Sequence, residues 1–170
     1  MKFFTKDTKS AIEAKGMAQF IAFGPVVFQV AKVMRDTGIL TIIEESATAG
    51  ITIEEIVEKA KLPHYGVRVL LESSLGIGLI VVNNERYTIT KTGHFILHDP
   101  LTIVNMDFIH DVNYKGLFHL EKTIRTGKPE GLKELVIGRP FMRACRNCLL
   151  ISRKAGLHLI ISFPIRRFLL

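Results

Sequence analysis

The hydrophobic period of this chain changes near residue 79, and that change constrains the fold more than any other feature. Before it, residues 53–60 and 64–74 repeat apolar side chains at a spacing close to 3.6, which predicts two helices joined by a short turn. After it, residues 79–82 and 86–90 are predicted to be strands, because β-branched residues flank the turn-forming pair Asn83-Asn84. Helix, turn, helix and β-hairpin follow one another in the order of a winged helix.

Further helices are predicted on both sides of this segment. Their expected boundaries are residues 8–22, 25–36, 39–45, 101–112 and 117–126. Thr52, with Glu55 three residues later, forms a capping box at the start of the helix over 53–60. Thr92-Gly93 is expected to end the hairpin. The predicted fold class is therefore mainly α with a small β-hairpin, a winged helix-turn-helix domain plus flanking helices.

The charges of the chain are unevenly distributed. It carries 23 Lys and Arg against 16 Asp and Glu, a formal net charge of +7. All 16 acidic residues and 16 of the basic ones lie within residues 1–135, so this part is formally neutral. The last 35 residues carry the remaining seven basic side chains and both cysteines. We therefore expect no disulfide within residues 1–135 and no specific attraction of these residues to nucleic acid.

Several stretches between residues 28 and 135 are specific enough to compare with known families. They are GILTIIEE, TIEEIVEKAKLPHYGVRVLLESSLGIGLI, ERYTITKTGHFILHDP and LEKTIRTGKPEGLKEL. Together they resemble the N-terminal winged-helix domain of the S-adenosylmethionine-dependent class I O-methyltransferases. The resemblance implies a domain that pairs two subunits and acts as a lid over the substrate. It also implies that a separate, C-terminal Rossmann-like domain binds the methyl donor.

The resemblance sets the expected organisation of the chain. Residues 1–97 are expected to form the winged-helix dimerisation domain, and residues 98–135 a helical segment that leads to the methyl-donor domain. The glycine-rich strand-to-helix turn of such a domain is not found here, since Gly76-Ile77-Gly78 precedes a strand. We therefore expect a cytoplasmic homodimer that holds no cofactor and is inactive alone. The small-molecule methyl acceptor would bind only in the complete enzyme.

Residues 136–170 depart from the family's pattern. Codons can be chosen for residues 138–145 so that the frame one base earlier encodes WPTIYEGL, which resembles the family's continuation. The interpretation is a truncated chain with an out-of-frame and poorly ordered basic tail, and the alternative is a genuine basic tail. Cys145 and Cys148 form a CxxC pair without a second Cys or His pair at suitable spacing, so no metal site is predicted there.

The resemblance also supplies candidate site residues. The dimer interface candidates are Phe20, Phe23, Val27 and Phe28, which could alternatively belong to the core. The substrate-pocket candidates are Asn105, Met106, Asp107 and His110, and the alternative for them is a solvated helix face. No catalytic residue is assigned. His94 and His98 have the spacing of a metal pair, but Asp99-Pro100 is expected to interrupt the helix, so no metal site is predicted.

Two further interpretations concern partners. A winged helix could alternatively be a DNA-binding transcriptional regulator, which needs basic and polar side chains on its second helix. That helix offers Arg68 opposite Glu72, and the hairpin adds no net charge, so the sequence favours the dimerisation domain. The apolar run from Phe20 to Phe28 is interrupted by Gly24-Pro25 and is too short to span a membrane.

Overall fold

The computed structural model describes residues 7–134, and the predictions made for residues 136–170 lie outside them. The chain forms two compact units, one ending at Leu97 and the other beginning at His98. Within the described residues the structure is mainly helical with one two-stranded antiparallel sheet, which confirms the predicted fold class.

Five α-helices precede the hairpin in the first unit. They are α1 (Ala11–Ala22), α2 (Gly24–Asp36), α3 (Ile39–Glu45), α4 (Ile53–Ala60) and α5 (His64–Gly76), with a 3-10 turn at Ala47–Ala49. The predicted bounds of α3 and α4 are confirmed. The capping box of α4 is present, because the Thr52 N–H donates to Glu55 Oε2 at 2.8 Å and the Glu55 N–H donates to Thr52 Oγ1 at 3.4 Å.

The core of the first unit lies where α2, α3, α4 and α5 meet the hairpin. Its largest fully enclosed apolar side chains are Met34, Ile39, Leu40, Ile43, Ile56, Val67, Leu71 and Ile80. Every one of these four helices contributes to this set, but α1 does not. The core of the unit is therefore built without the first helix.

The hairpin consists of β1 (Ile80–Asn83) and β2 (Arg86–Ile89), paired with Asn83 opposite Arg86. The turn lies one residue later than predicted. Asn84 and Glu85 both have positive φ, at 47° and 61°, which is the conformation of a two-residue type I′ turn. Asn83 therefore ends the strand instead of occupying the turn.

A sixth helix, α6 (Lys91–His98), follows directly after the hairpin. The prediction that Thr92-Gly93 ends the hairpin is wrong, because β2 ends at Ile89 and both residues lie in the first turn of α6, which was not predicted. The Gly93 N–H donates to Thr90 Oγ1 at 3.2 Å, so Thr90 caps the helix start. A Cβ at Gly93 would lie 2.5 Å from the Leu79 carbonyl oxygen, so this glycine permits close packing inside a helix. Because α6 also contains His98, the expected interruption between His94 and His98 is wrong too.

The second unit begins with α7 (Pro100–Phe108), whose N-cap Asp99 accepts a hydrogen bond from the Thr102 N–H at 2.7 Å. The predicted continuous helix to residue 112 changes to a π-helical turn at Ile109–Asn113. A 3-10 turn (Gly116–His119), α8 (Leu120–Thr126) and a second 3-10 turn (Glu130–Glu134) follow. Gly127 ends α8 in the left-handed conformation that favours glycine at this position.

The two 3-10 turns of the second unit cross in close contact, and the second of them is also paired with α8. A Cβ at Gly131 would lie 2.8 Å from the Gly116 carbonyl oxygen, so only glycine fits this backbone crossing. Glu130 is buried, and its carboxylate pairs with the Lys122 ammonium at 3.3 Å and with Lys133. These contacts give the sequence GKPEGLK a structural role.

No single helix in the described part of the chain combines the length and apolar composition needed to cross a bilayer. Taken together, α1 and α2 satisfy that test as a pair bent by 65°.

Candidate functional site

α1 and α2 are joined without a loop. Phe23 is the C-cap residue of α1 and the N-cap residue of α2. Its N–H donates to the Gln19 carbonyl at 3.0 Å, and its own carbonyl accepts from the Val27 N–H at 2.9 Å. Pro25 lies in the first turn of α2, where a missing N–H has no cost. This junction sets the bend between the helices and leaves Phe23 on the outside of it, 59% exposed.

The surface of α1 and the first turn of α2 carries large apolar side chains that nothing in the described chain covers. No residue of α1 is buried. The exposed apolar residues of this surface, here called the α1–α2 face, are Ile12, Met17, Phe20, Ile21, Phe23 and Val26, with exposed fractions between 47% and 85%. Exposed apolar groups in this number on one short helix and the junction that follows it are typical of a surface that another molecule covers.

The four predicted interface residues fall into two pairs. Phe20 and Phe23 lie on the α1–α2 face and are more than half exposed. Val27 and Phe28 are half-buried on α2. The first pair is therefore available for contact with a partner, whereas the second pair also packs within its own protomer.

The N-terminus of α1 is closed by a second capping box. The Ser10 N–H donates to Glu13 Oε2 at 2.8 Å, and the Glu13 N–H donates to Ser10 Oγ at 3.3 Å. The hydrogen bond from the Ser10 backbone is the main reason that the pKa of Glu13 is lowered, and the Ser10 hydroxyl acts in the same direction. The carboxylate form of Glu13 therefore matches the positive end of the helix dipole.

The last turn of α2 carries a network of charged side chains that pair within the helix. Lys32 is buried and its ammonium pairs with the Asp36 carboxylate, which also accepts from Arg35 Nε at 2.9 Å. Desolvation raises the pKa of Asp36, but the hydrogen bonds from Lys32 and Arg35 outweigh it, and the pKa is lowered. This network stabilises the last turn of α2, at the end of the helix that is distant from the α1–α2 face.

The predicted substrate-pocket residues do not share one environment. Met106 is buried, Asp107 is half-buried, and Asn105 and His110 are exposed. His110 Nδ1 lies 2.8 Å from Asp111 Oδ1, its neighbour in the chain, within the π-helical turn. This turn displaces the residues after Phe108 from the positions that a regular helix would give them.

A groove in the second unit was not predicted from the sequence. It is open and mainly apolar, with a volume of about 170 Å³, and is lined by Val112, Asn113, Gly116, Leu117, Thr123, Pro129, Gly131 and Leu132. Residues far apart in sequence meet there because Gly116 and Gly131 allow the two 3-10 turns to cross. The only sequence signal for it is the pair of glycines on either side of α8.

In a DNA-binding winged helix, the second helix and the hairpin contact the DNA. In this chain the arginine side chains on these two elements are paired with other groups of the protein. Arg68 Nε on α5 contacts Glu72 Oε1 at 2.8 Å, one turn along the same helix. In the hairpin, Arg86 Nη1 donates to the Gly50 carbonyl at 3.0 Å and lies 3.7 Å from Glu55 Oε2. Phosphate recognition requires basic side chains directed at the nucleic acid, so this geometry does not favour DNA binding.

One family model matches the chain. Residues 15–87 match the family described as the Dimerisation2-like domain, a span that begins inside α1 and ends in β2. No curated protein sequence matches the chain significantly.

Solved structures share the fold over a longer part of the chain. The apo S-adenosylmethionine-dependent methyltransferase SibL has a TM-score of 0.66 at 19% identity, over 82% of this chain and 46% of its own. Human N-acetylserotonin methyltransferase in complex with SAM has a TM-score of 0.54 at 15% identity, over 72% and 37%. LepI in complex with SAM has a TM-score of 0.58 at 12% identity, over 82% and 34%. The chain thus spans less than half the length of each of these proteins.

Proposed function

We propose that this chain pairs with a second copy of itself as the dimerisation domain of an S-adenosylmethionine-dependent methyltransferase, because residues 15–87 match the Dimerisation2-like domain and the fold is similar to that of such an enzyme. The observation that carries the proposal is the α1–α2 face. It lies within the unit that the family model matches, and its apolar side chains are exposed in a single protomer.

The proposed interface is the α1–α2 face. A two-fold axis brings the same face of both protomers together, so one apolar surface is enough to form a closed dimer. Phe20 and Phe23 are the largest side chains of the face, and aromatic residues are enriched in protein interfaces. Val26 extends the face onto α2.

The methyl donor is proposed to bind outside this chain's dimerisation domain. Among the described residues the only sheet is an antiparallel hairpin, whereas dinucleotide-like donors bind at the carboxyl ends of parallel strands. In SibL, human N-acetylserotonin methyltransferase and LepI, more than half of the chain lies outside the matched fold. Isothermal titration of the full chain with S-adenosylmethionine is expected to show no saturable heat. A saturable micromolar isotherm would contradict this part of the proposal.

Charge substitutions locate the interface. Val26→Asp places a carboxylate on the α1–α2 face, where pairing would bury it, so the dimer is expected to dissociate at least a hundred-fold more readily. Tyr65→Asp is the matched control, because Tyr65 is 78% exposed on α5 and is not one of the residues of this face. Light scattering on both variants and the unmutated chain measures the effect. A Val26→Asp variant that stays folded and dimeric would place the interface elsewhere.

A further inference from the structure

α1 lacks the interactions that normally stabilise a helix in a folded domain. It has twelve residues, none of them buried, and Gly16 lies near its middle. Isolated helices of this length are only marginally stable in water, and a central glycine lowers their stability further. Within its own unit α1 packs against α2, and its large apolar side chains remain exposed there.

The main local support of α1 is its capping box. Ser10 and Glu13 satisfy two backbone N–H groups of the first turn, and the Ser10 hydroxyl also donates to Glu13 Oε2 at 2.8 Å. Both residues are exposed. They act on the stability of the helix that they cap, and through it on the affinity for a partner that needs this helix.

We propose that α1 becomes a stable helix only when a second copy of the chain covers it, so that the capping box of Ser10 and Glu13 sets the affinity of the dimer through the stability of α1. The inference rests on the proposed dimer. The second copy is the occupant because the dimerisation-family match begins at residue 15, inside α1, and because α1 adds nothing to the core of its own unit.

If α1 folds only in the dimer, a change in the stability of α1 changes the affinity of the dimer by a predictable factor. Replacing an N-cap serine by alanine shifts the helix equilibrium by a factor of about five. Each protomer folds its own α1 on association, so Ser10→Ala is expected to raise the Kd of the dimer by about 25-fold. The thermal stability of the monomer is expected to stay the same, because α1 does not contribute to it.

The second capping box of the chain provides the matched control. Thr52 and Glu55 make the same pair of hydrogen bonds at the start of α4, whose Ile56 is fully enclosed in the core. Thr52→Ala removes a cap of the same chemistry from a helix that belongs to the core. It is expected to lower the Tm of the chain and to leave the Kd of the dimer unchanged.

Two measurements on the full chain test the inference. Sedimentation equilibrium gives the Kd of the unmutated, Ser10→Ala and Thr52→Ala proteins. Hydrogen exchange of the amides in residues 11–22 compares the dimer with Val26→Asp, which is expected to be monomeric. We expect slow exchange in the dimer and fast exchange in the monomer. Equal protection in both, or a Ser10→Ala variant with an unchanged Kd and a lower Tm, would overturn the inference while the dimer stands. A monomeric unmutated chain would overturn the proposed function itself.

Discussion

The backbones of Gly116 and Gly131 cross so closely that a Cβ on Gly131 would lie 2.8 Å from the Gly116 carbonyl oxygen. This distance is shorter than a carbon and an oxygen can approach without displacement. The crossing closes the second unit around α8 and forms one wall of its apolar groove. A single methyl group at this position therefore tests whether the crossing holds the unit together.

Gly131→Ala is expected to lower the free energy of unfolding by about 1–3 kcal/mol, because the added methyl group forces the two 3-10 turns apart. Urea denaturation at fixed protein concentration measures the change. Gly66→Ala is the control, since a Cβ at Gly66 in α5 meets no atom within 4 Å. That variant is expected to gain about 0.5–1 kcal/mol from helix propensity. Equal effects of the two substitutions would show that the crossing is not constrained.

Ser74 is fully buried in α5, and its hydroxyl has no hydrogen-bond partner among the described residues. A buried hydroxyl without a partner costs about 1–3 kcal/mol. Ser74→Ala is therefore expected to leave the Tm unchanged or to raise it, unlike most core substitutions. Ser73→Ala, at the half-buried position before it, is the control and is expected to change the Tm little. A large loss of stability in Ser74→Ala would mean that the hydroxyl has a partner after all.

Asp36 makes the stability of the first unit depend on pH. Because its pKa is lowered in the folded chain, its ionised form stabilises the fold above the usual pKa of 3.8, and this contribution is lost as the pH falls below that value. Asp36 is 44% exposed, which limits the effect. At pH 7, Asp36→Asn is expected to cost about 1 kcal/mol.

The difference between the unmutated chain and Asp36→Asn is expected to be smaller at pH 3 than at pH 7, because the carboxyl is mostly protonated in the unfolded state at pH 3 and its ionised form then stabilises the fold less. Urea denaturation at the two pH values gives both differences. Glu58→Gln, at an exposed position on α4, controls for the loss of a charge alone. A difference that is constant from pH 7 to pH 3 would show that the ion pair with Lys32 does not contribute.

Local signals predicted much of the first unit. The bounds of α3 and α4 follow from apolar spacing and from the capping box of Thr52 and Glu55, which act over a few residues and are visible in the sequence. The helix α6 was not predicted, because a glycine such as Gly93 more often ends a strand or a helix than lies inside one. Its actual role, close packing against the Leu79 carbonyl, depends on a contact between residues that are fourteen positions apart. Sequence spacing does not reveal contacts of this kind.

The candidate site was predicted only in part. Phe20 and Phe23 are exposed on the α1–α2 face. The sequence indicated this exposure, because the run of large apolar residues beside Gly24-Pro25 is more than one short helix can bury in its own core. The π-helical turn at Ile109–Asn113 could not be predicted, since it arises when the Tyr114 N–H donates to the Ile109 carbonyl, at 2.7 Å, one residue beyond the regular helical partner. The groove depends on the crossing of Gly116 and Gly131, which has no local pattern.

The central claim is that two copies of this chain pair through the α1–α2 face. Sedimentation equilibrium of the unmutated full chain, from one to one hundred micromolar, tests it most directly. We expect a species with twice the 19.1 kDa of one chain at tens of micromolar, converted to monomer by Phe20→Asp together with Val26→Asp. A mass of one chain across the whole range would contradict the claim.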